Sequence, residues 1–146
     1  MEGRETIMGT QIRAEVSKKN KYWIEKHRYY ELKHFCLQYP IWKAAYHSLD
    51  GLSGRPGDLQ MFSRTNTYND PTTKCAEAML FYSQRIAMIE NTAKLTDEVI
   101  GKYILKGVTE GKSYELLQIS CGVPCNKNTY YELYRRFFWI LNKERN

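Results

Sequence analysis

From residue 70 onward, short runs of apolar periodicity alternate with residues that start or stop helices. That spacing is the strongest constraint the chain carries. Asp70–Pro71 is a helix start: the carboxylate can cap free N–H groups, and proline fits the first helical position. A helix over residues 71–93 follows, its apolar face reading Ala76, Met79, Leu80, Ile86, Ala87, Ile89 and Ala93, near a 3.6-residue period. Thr96 is placed to cap the next helix, with Leu95 and Ile100 as a hydrophobic staple. Ile100, Tyr103, Ile104 and Val108 give that helix its inner face, and Gly111 fits its end. Ser113 can cap a short helix over 114–120, packed through Leu116, Leu117 and Ile119 and ended by Gly122. After a turn at Val123–Pro124, Asn126 or Asn128 can cap a last helix over 129–143. No segment alternates as a strand does, so the expected fold class is all-α, a helical bundle.

The first half of the chain is organised differently. Its first sixteen residues show no steady period and read as a loose arm. A helix is expected over 20–39, with Trp23, Tyr30, Phe35 and Leu37 on an apolar stripe widened by Tyr22, Tyr29 and Leu32. Pro40 stops or kinks it, and a short piece over 41–49 follows. Residues 51–70 hold three of the nine glycines, Pro56 and several Ser, Asn and Thr, and read as a linker. The expected organisation is an aromatic-rich lobe over 1–50, the linker, and a helical domain over 71–146.

Composition excludes several classes. No run approaches 18 apolar residues, so no membrane span is expected, and the charged start lacks a signal core. Four cysteines in 146 residues are too few for a disulfide scaffold, which points to a reducing cytoplasm. The net charge of +6 favours an anionic partner. It is concentrated at the ends. Residues 1–50 carry nine Lys and Arg against six Asp and Glu, 51–110 carry seven against seven, and 111–146 carry six against three.

The segment from Gly111 to Arg136 follows the plan of a helix-turn-helix, spanning about 113–143: a short helix, a turn with Gly and an apolar residue, and a longer basic helix. In that plan the second helix enters the major groove with its N-terminal residues at base edges. Leu117 and Val123 would pack inward, and Tyr130, Leu133, Phe137 and Ile140 would face the core. Lys127, Asn128, Thr129, Tyr131, Glu132, Arg135 and Arg136 are then left on or near the outer side. Lys127, Asn128, Tyr131 and Glu132 are candidates for reading bases. Lys112, Arg135 and Arg136 suit phosphates, and Lys112, Ser113 and Tyr114 open the preceding helix, where backbone N–H groups could bind another. A generic three-helix pack has the same periodicity. The DNA-binding version requires Lys127, Asn128 and Arg135 to be uncovered and clear of acidic neighbours.

The same residues carry a family likeness. Ser113-Tyr114-Glu115-Leu116-Leu117, Val123-Pro124-Cys125-Asn126-Lys127-Asn128-Thr129-Tyr130-Tyr131 and Arg135-Arg136-Phe137-Phe138 resemble the C-terminal part of RinA/ArpU-like activators of late phage genes, whose helix-turn-helix is similar to sigma factor region four. The resemblance covers about residues 70–141, and Cys121 and Cys125 depart from the small polar residues usual at the turn. It implies a phage or prophage transcriptional regulator in the bacterial cytoplasm, bound to double-stranded DNA and touching host RNA polymerase. A module of this size is a weak reader alone, so a homodimer is a further expectation.

Other signals are weaker. Glu110-Gly111-Lys112-Ser113 resembles the end of a P-loop, but the glycine needed five residues earlier is Lys106 and the preceding strand is missing. Cys121, Cys125, His27 and His34 would have to converge to bind zinc, and the cysteine spacing is atypical. Cys36 and Cys75 read as buried thiols. No catalytic set is found, so neither an enzyme, a cofactor nor a metal is expected. The aromatic helix near residues 22–46 can serve as core, as a dimer or polymerase-facing surface, or as a stacking platform for single strands aided by Lys21, Lys26, Arg28 and Lys33. The rival functions are a helical phage protein that binds a host protein without DNA, and a small terminase-like packaging subunit.

Overall fold

The structure, a computed structural model, describes residues 18–53 and 71–145. The expected arm, most of the linker and the Asp70 cap lie outside the described residues. The elements are all helical: α1 (Lys26–Leu37), α2 (Tyr39–Ser53), α3 (Pro71–Thr96), α4 (Gly101–Glu110), α5 (Tyr114–Ser120) and α6 (Lys127–Glu144). Among the described residues there is no strand, and no helix is long and apolar enough to cross a membrane. The all-α class therefore holds.

The described residues form two compact units, one drawn from within residues 39–87 and the other from the residues before and after that stretch. In the first, Trp42 and Cys75 are buried, and the Cys75 thiol points to the Leu49 carbonyl. Pro40 lies in the first turn of α2, where its missing N–H costs nothing, and α1 stops before it.

The second unit holds the core. α6 is its spine: Tyr130, Tyr131, Tyr134, Phe137, Phe138 and Leu141 are buried along one side. α1 lays Tyr29, Leu32, Phe35 and Cys36 against it. Phe138 meets Tyr29 edge-on at 5.1 Å, and the Tyr29 and Tyr134 hydroxyls share a buried hydrogen bond of 2.9 Å. Arg28 ties the other end, donating through Nε to the Asn142 side chain at 2.6 Å while pairing with Glu31. Burial pushes the Tyr134 hydroxyl and Cys36 thiol well above their ordinary titration ranges. Leu133 and Ile140, expected in the core, are half-buried, because the seam is centred one step around the helix on Tyr134 and Phe138.

Several helix boundaries differ from expectation for local reasons. α1 begins at Lys26 because the Glu25 carboxylate accepts from the His27 and Arg28 N–H groups; Tyr22 and Trp23 precede the helix. α3 continues to Thr96, whose hydroxyl bonds back to Thr92 O. The cap ahead of α4 is instead Asp97, accepting from Val99 and Ile100 N–H at 2.9 and 2.7 Å. Leu95 is exposed, so no staple forms. On α3, Ala76, Leu80 and Ala87 face solvent, while Ile89, Thr92 and Ala93 are buried. Gly111 ends α4 at φ +70° and Gly122 follows α5 at φ +71°, both left-handed positions that favour glycine.

α4 completes the core with Ile104 and Val108, and α4, α5 and α6 all touch one another. Gly107 allows the closest approach: a Cβ there would collide with the Tyr130 hydroxyl and press on Leu117. That hydroxyl is buried without a hydrogen-bond partner. Gly107→Ala should therefore destabilise the fold by about 1–3 kcal/mol. Tyr130→Phe removes a buried unsatisfied group, should raise stability by about 1 kcal/mol, and should partly rescue Gly107→Ala. Urea denaturation of the two single variants and the double variant checks both signs.

Candidate nucleic-acid interface

The candidate interface is built by α5, the connection over 121–126, and α6. Ser113 caps α5, its hydroxyl accepting from Leu116 N–H at 3.3 Å. Leu117 enters the core, but Leu116 and Ile119 do not: Ile119 is 84% exposed. A helix of 3.6 residues per turn cannot place 116, 117 and 119 on one face, and contact with α4 and α6 selects Leu117.

Two side chains of α5 fix the connection. Gln118 donates to Val123 O at 2.9 Å and to the Tyr114 hydroxyl at 2.6 Å; that hydroxyl donates to Cys125 O at 2.5 Å. Val123 is buried beneath. The Asn126 side chain then caps α6, accepting from Thr129 N–H at 2.8 Å, so α6 starts at Lys127. Gln118 was missed from sequence because nothing local distinguishes it from an ordinary surface glutamine.

The expected contact residues fall into three groups. Asn128, Thr129 and Glu132 are exposed on the first turns of α6, outside the capped connection. Lys127 is also exposed, but its ammonium lies 2.7 Å from the Glu115 carboxylate. The hydrogen bond from Lys127 holds the Glu115 carboxyl below the usual carboxylate range, and the Lys127 ammonium titrates above its usual range for the same reason. Lys112 is likewise paired, 3.0 Å from Glu110.

The remaining expected positions are wholly or partly covered. Tyr131 is 4% exposed, and its hydroxyl accepts from Tyr114 N–H at 3.1 Å. It lies beside the Tyr130–Tyr134 seam, so it braces α5 and cannot read bases. The same bond uses the Tyr114 N–H, and Ser113 uses that of Leu116, so two of the N–H groups that could have met a phosphate at the start of α5 are already taken. The Tyr114 side chain locks the connection. Arg136 is half-buried: it donates to the Tyr22 hydroxyl at 3.3 Å, and its Nε is buried without a partner. Arg135 is half-buried and reaches Tyr131 O at 3.4 Å. The condition set from the sequence is met only at Asn128: Arg135 is partly covered and Lys127 faces an acid, so any duplex contact here is narrower than expected.

No protein-family model, curated protein or solved structure matches this chain. Among the described residues, no group of three or more His, Cys, Asp and Glu could hold a metal ion.

Glu115 is the residue to change at this site. Its pair with Lys127 is half-exposed, contributes little to stability, and weakens in salt. Glu115→Gln should leave melting nearly unchanged but free one cation beside Asn128. If a duplex docks here, its affinity at low salt should rise and the slope of log K against log salt should steepen by about 1.

Proposed function

We propose that the chain binds double-stranded DNA through α5 and α6, arranged as a helix-turn-helix, and acts as a phage or prophage transcriptional regulator in the cytoplasm of the bacterial host. The observation that carries this reading is the tip of α6. Asn128, Thr129 and Glu132 stand exposed on a helix whose opposite side is sealed in an aromatic core. The connection before them is held by Gln118 and Tyr114. A helix about 10–12 Å across fits a major groove about 12 Å wide, and Asn is a bidentate reader of adenine. The likeness of residues 113–138 to RinA/ArpU-like activators supports the same reading and adds host RNA polymerase as a partner. Dimerisation would supply the affinity that one small reader lacks.

The residue roles differ from those expected of the sequence. Base reading is assigned to Asn128, Thr129 and Glu132, with Lys127 available when phosphate competes with Glu115. Arg135 remains a phosphate contact. Tyr131, Tyr114 and Ser113 are supports, and Lys112 contributes little while paired with Glu110.

A second reading, a helical protein that binds a host protein, is favoured by Leu116 and Ile119. They lie three residues apart on α5, 53% and 84% exposed. Replacing both with Ser distinguishes the two. Loss of activity with unchanged duplex binding supports a protein partner at that face.

The DNA reading is tested with a duplex shift assay at two salt concentrations. Binding should weaken steeply with salt. Asn128→Ala should cost about 1–3 kcal/mol of discrimination between matched and mismatched sites, with melting unchanged. Absence of any duplex binding at low salt would refute the reading.

A further inference from the structure

The cations at the N-terminal end of the interface are paired with glutamates; at the other end of α6 Arg28 pairs with Glu31, but Lys21, Arg136 and Lys143 are not so paired. Lys21 and Lys143 have no carboxylate partner among the described residues, and the one bond from Arg136 goes to a tyrosine hydroxyl. Glu132 and Glu144, their acidic neighbours on α6, form no ion pair with them. The three cations gather on two touching rings. Tyr22 and Trp139 lie 5.5 Å apart; the Lys143 ammonium sits 3.4 Å over Trp139, the Lys21 ammonium 5.0 Å over Tyr22, and Arg136 reaches the Tyr22 hydroxyl.

We propose that this cluster is a second, sequence-independent contact for the phosphate backbone of duplex DNA. The proposal rests on the reading of α6 given above and extends its footprint. At 100° per residue, Asn128, Glu132, Trp139 and Lys143 fall on one stripe of α6, so the cluster faces the same way as the tip. Lys143 lies about 22 Å along the axis from Asn128 at a rise of 1.5 Å per residue, beyond a groove about 12 Å wide. A duplex seated on the tip therefore brings its flanking strand, not a base edge, to Lys21 and Lys143.

The rings decide between phosphates and bases. A single strand would stack its bases on exposed aromatic faces. Here ammonium groups already cover a face of both Tyr22 and Trp139, and Tyr22 is only 8% exposed. The rings hold the cations in place, and the cations are what an incoming polyanion meets.

The test uses the full chain and a labelled duplex, with affinity measured by anisotropy over a series of salt concentrations. The variant carries Lys21→Ala and Lys143→Ala, and circular dichroism verifies its helix content. The expected result is a salt slope shallower by about 2, at about 0.9 per lost phosphate contact, with the same loss on every duplex sequence. A double variant with the wild-type slope overturns this proposal and leaves the α6 tip reading intact. A wild-type chain that binds no duplex removes both. Tighter binding to a single-stranded oligonucleotide than to duplex, with quenched tryptophan emission, also overturns the proposal, because the rings would then be stacking bases.

Discussion

The seam in which α6 lies along α1, closed by the buried hydrogen bond between Tyr29 and Tyr134, is the constraint on which the rest of the geometry depends. Edge-on contacts run from Tyr134 to Phe138 and from Phe138 to Tyr29, so the rotation of α6 about its axis is fixed by ring packing along its length. Once that rotation is set, the outward side is set too. Asn128, Glu132, Trp139 and Lys143 face away from the seam, whereas Tyr131 lies at its edge and is drawn in. The candidate interface is thus the complement of the core.

That dependence explains what the sequence revealed. The limits of α5 were legible because Ser113 and Gly122 act within one turn of chain, through a cap and a left-handed φ. The burial of Tyr130 and Phe137 and of Val123 was legible from helical spacing and turn composition. Tyr131 was not, because a tyrosine at the margin of an apolar stripe can face either way; the Tyr114 N–H that draws it in lies on another helix. The start of α1 was misplaced because aromatic spacing suggests a helix from residue 20, while the Glu25 cap sets its start five residues later. Thr96 was the expected cap and its neighbour Asp97 is the residue that caps, because packing turns the Thr96 hydroxyl back into α3.

Charge was the least legible feature. The excess of Lys and Arg over residues 111–146 is real, but the sequence does not show that Lys112 and Lys127 each meet a glutamate. Nor does it place residues 21 and 22 beside residues 136–143, more than a hundred positions away. Charge in a folded chain belongs to surfaces, and these surfaces are assembled from both ends of the sequence. Lys21, from one basic stretch, meets Arg136 and Lys143, from the other, on one pair of rings.

The cysteines have a practical consequence. Cys36 is sealed inside the aromatic seam with its thiolate form suppressed, whereas Cys121 is exposed where α5 gives way to the connection. Thiol reagents attack the thiolate of accessible cysteines, so among these two they select Cys121. Nature has thus left a labelling handle one residue past the end of the short helix. A dye there would report on the crowding of that corner in the native sequence, with no engineered cysteine.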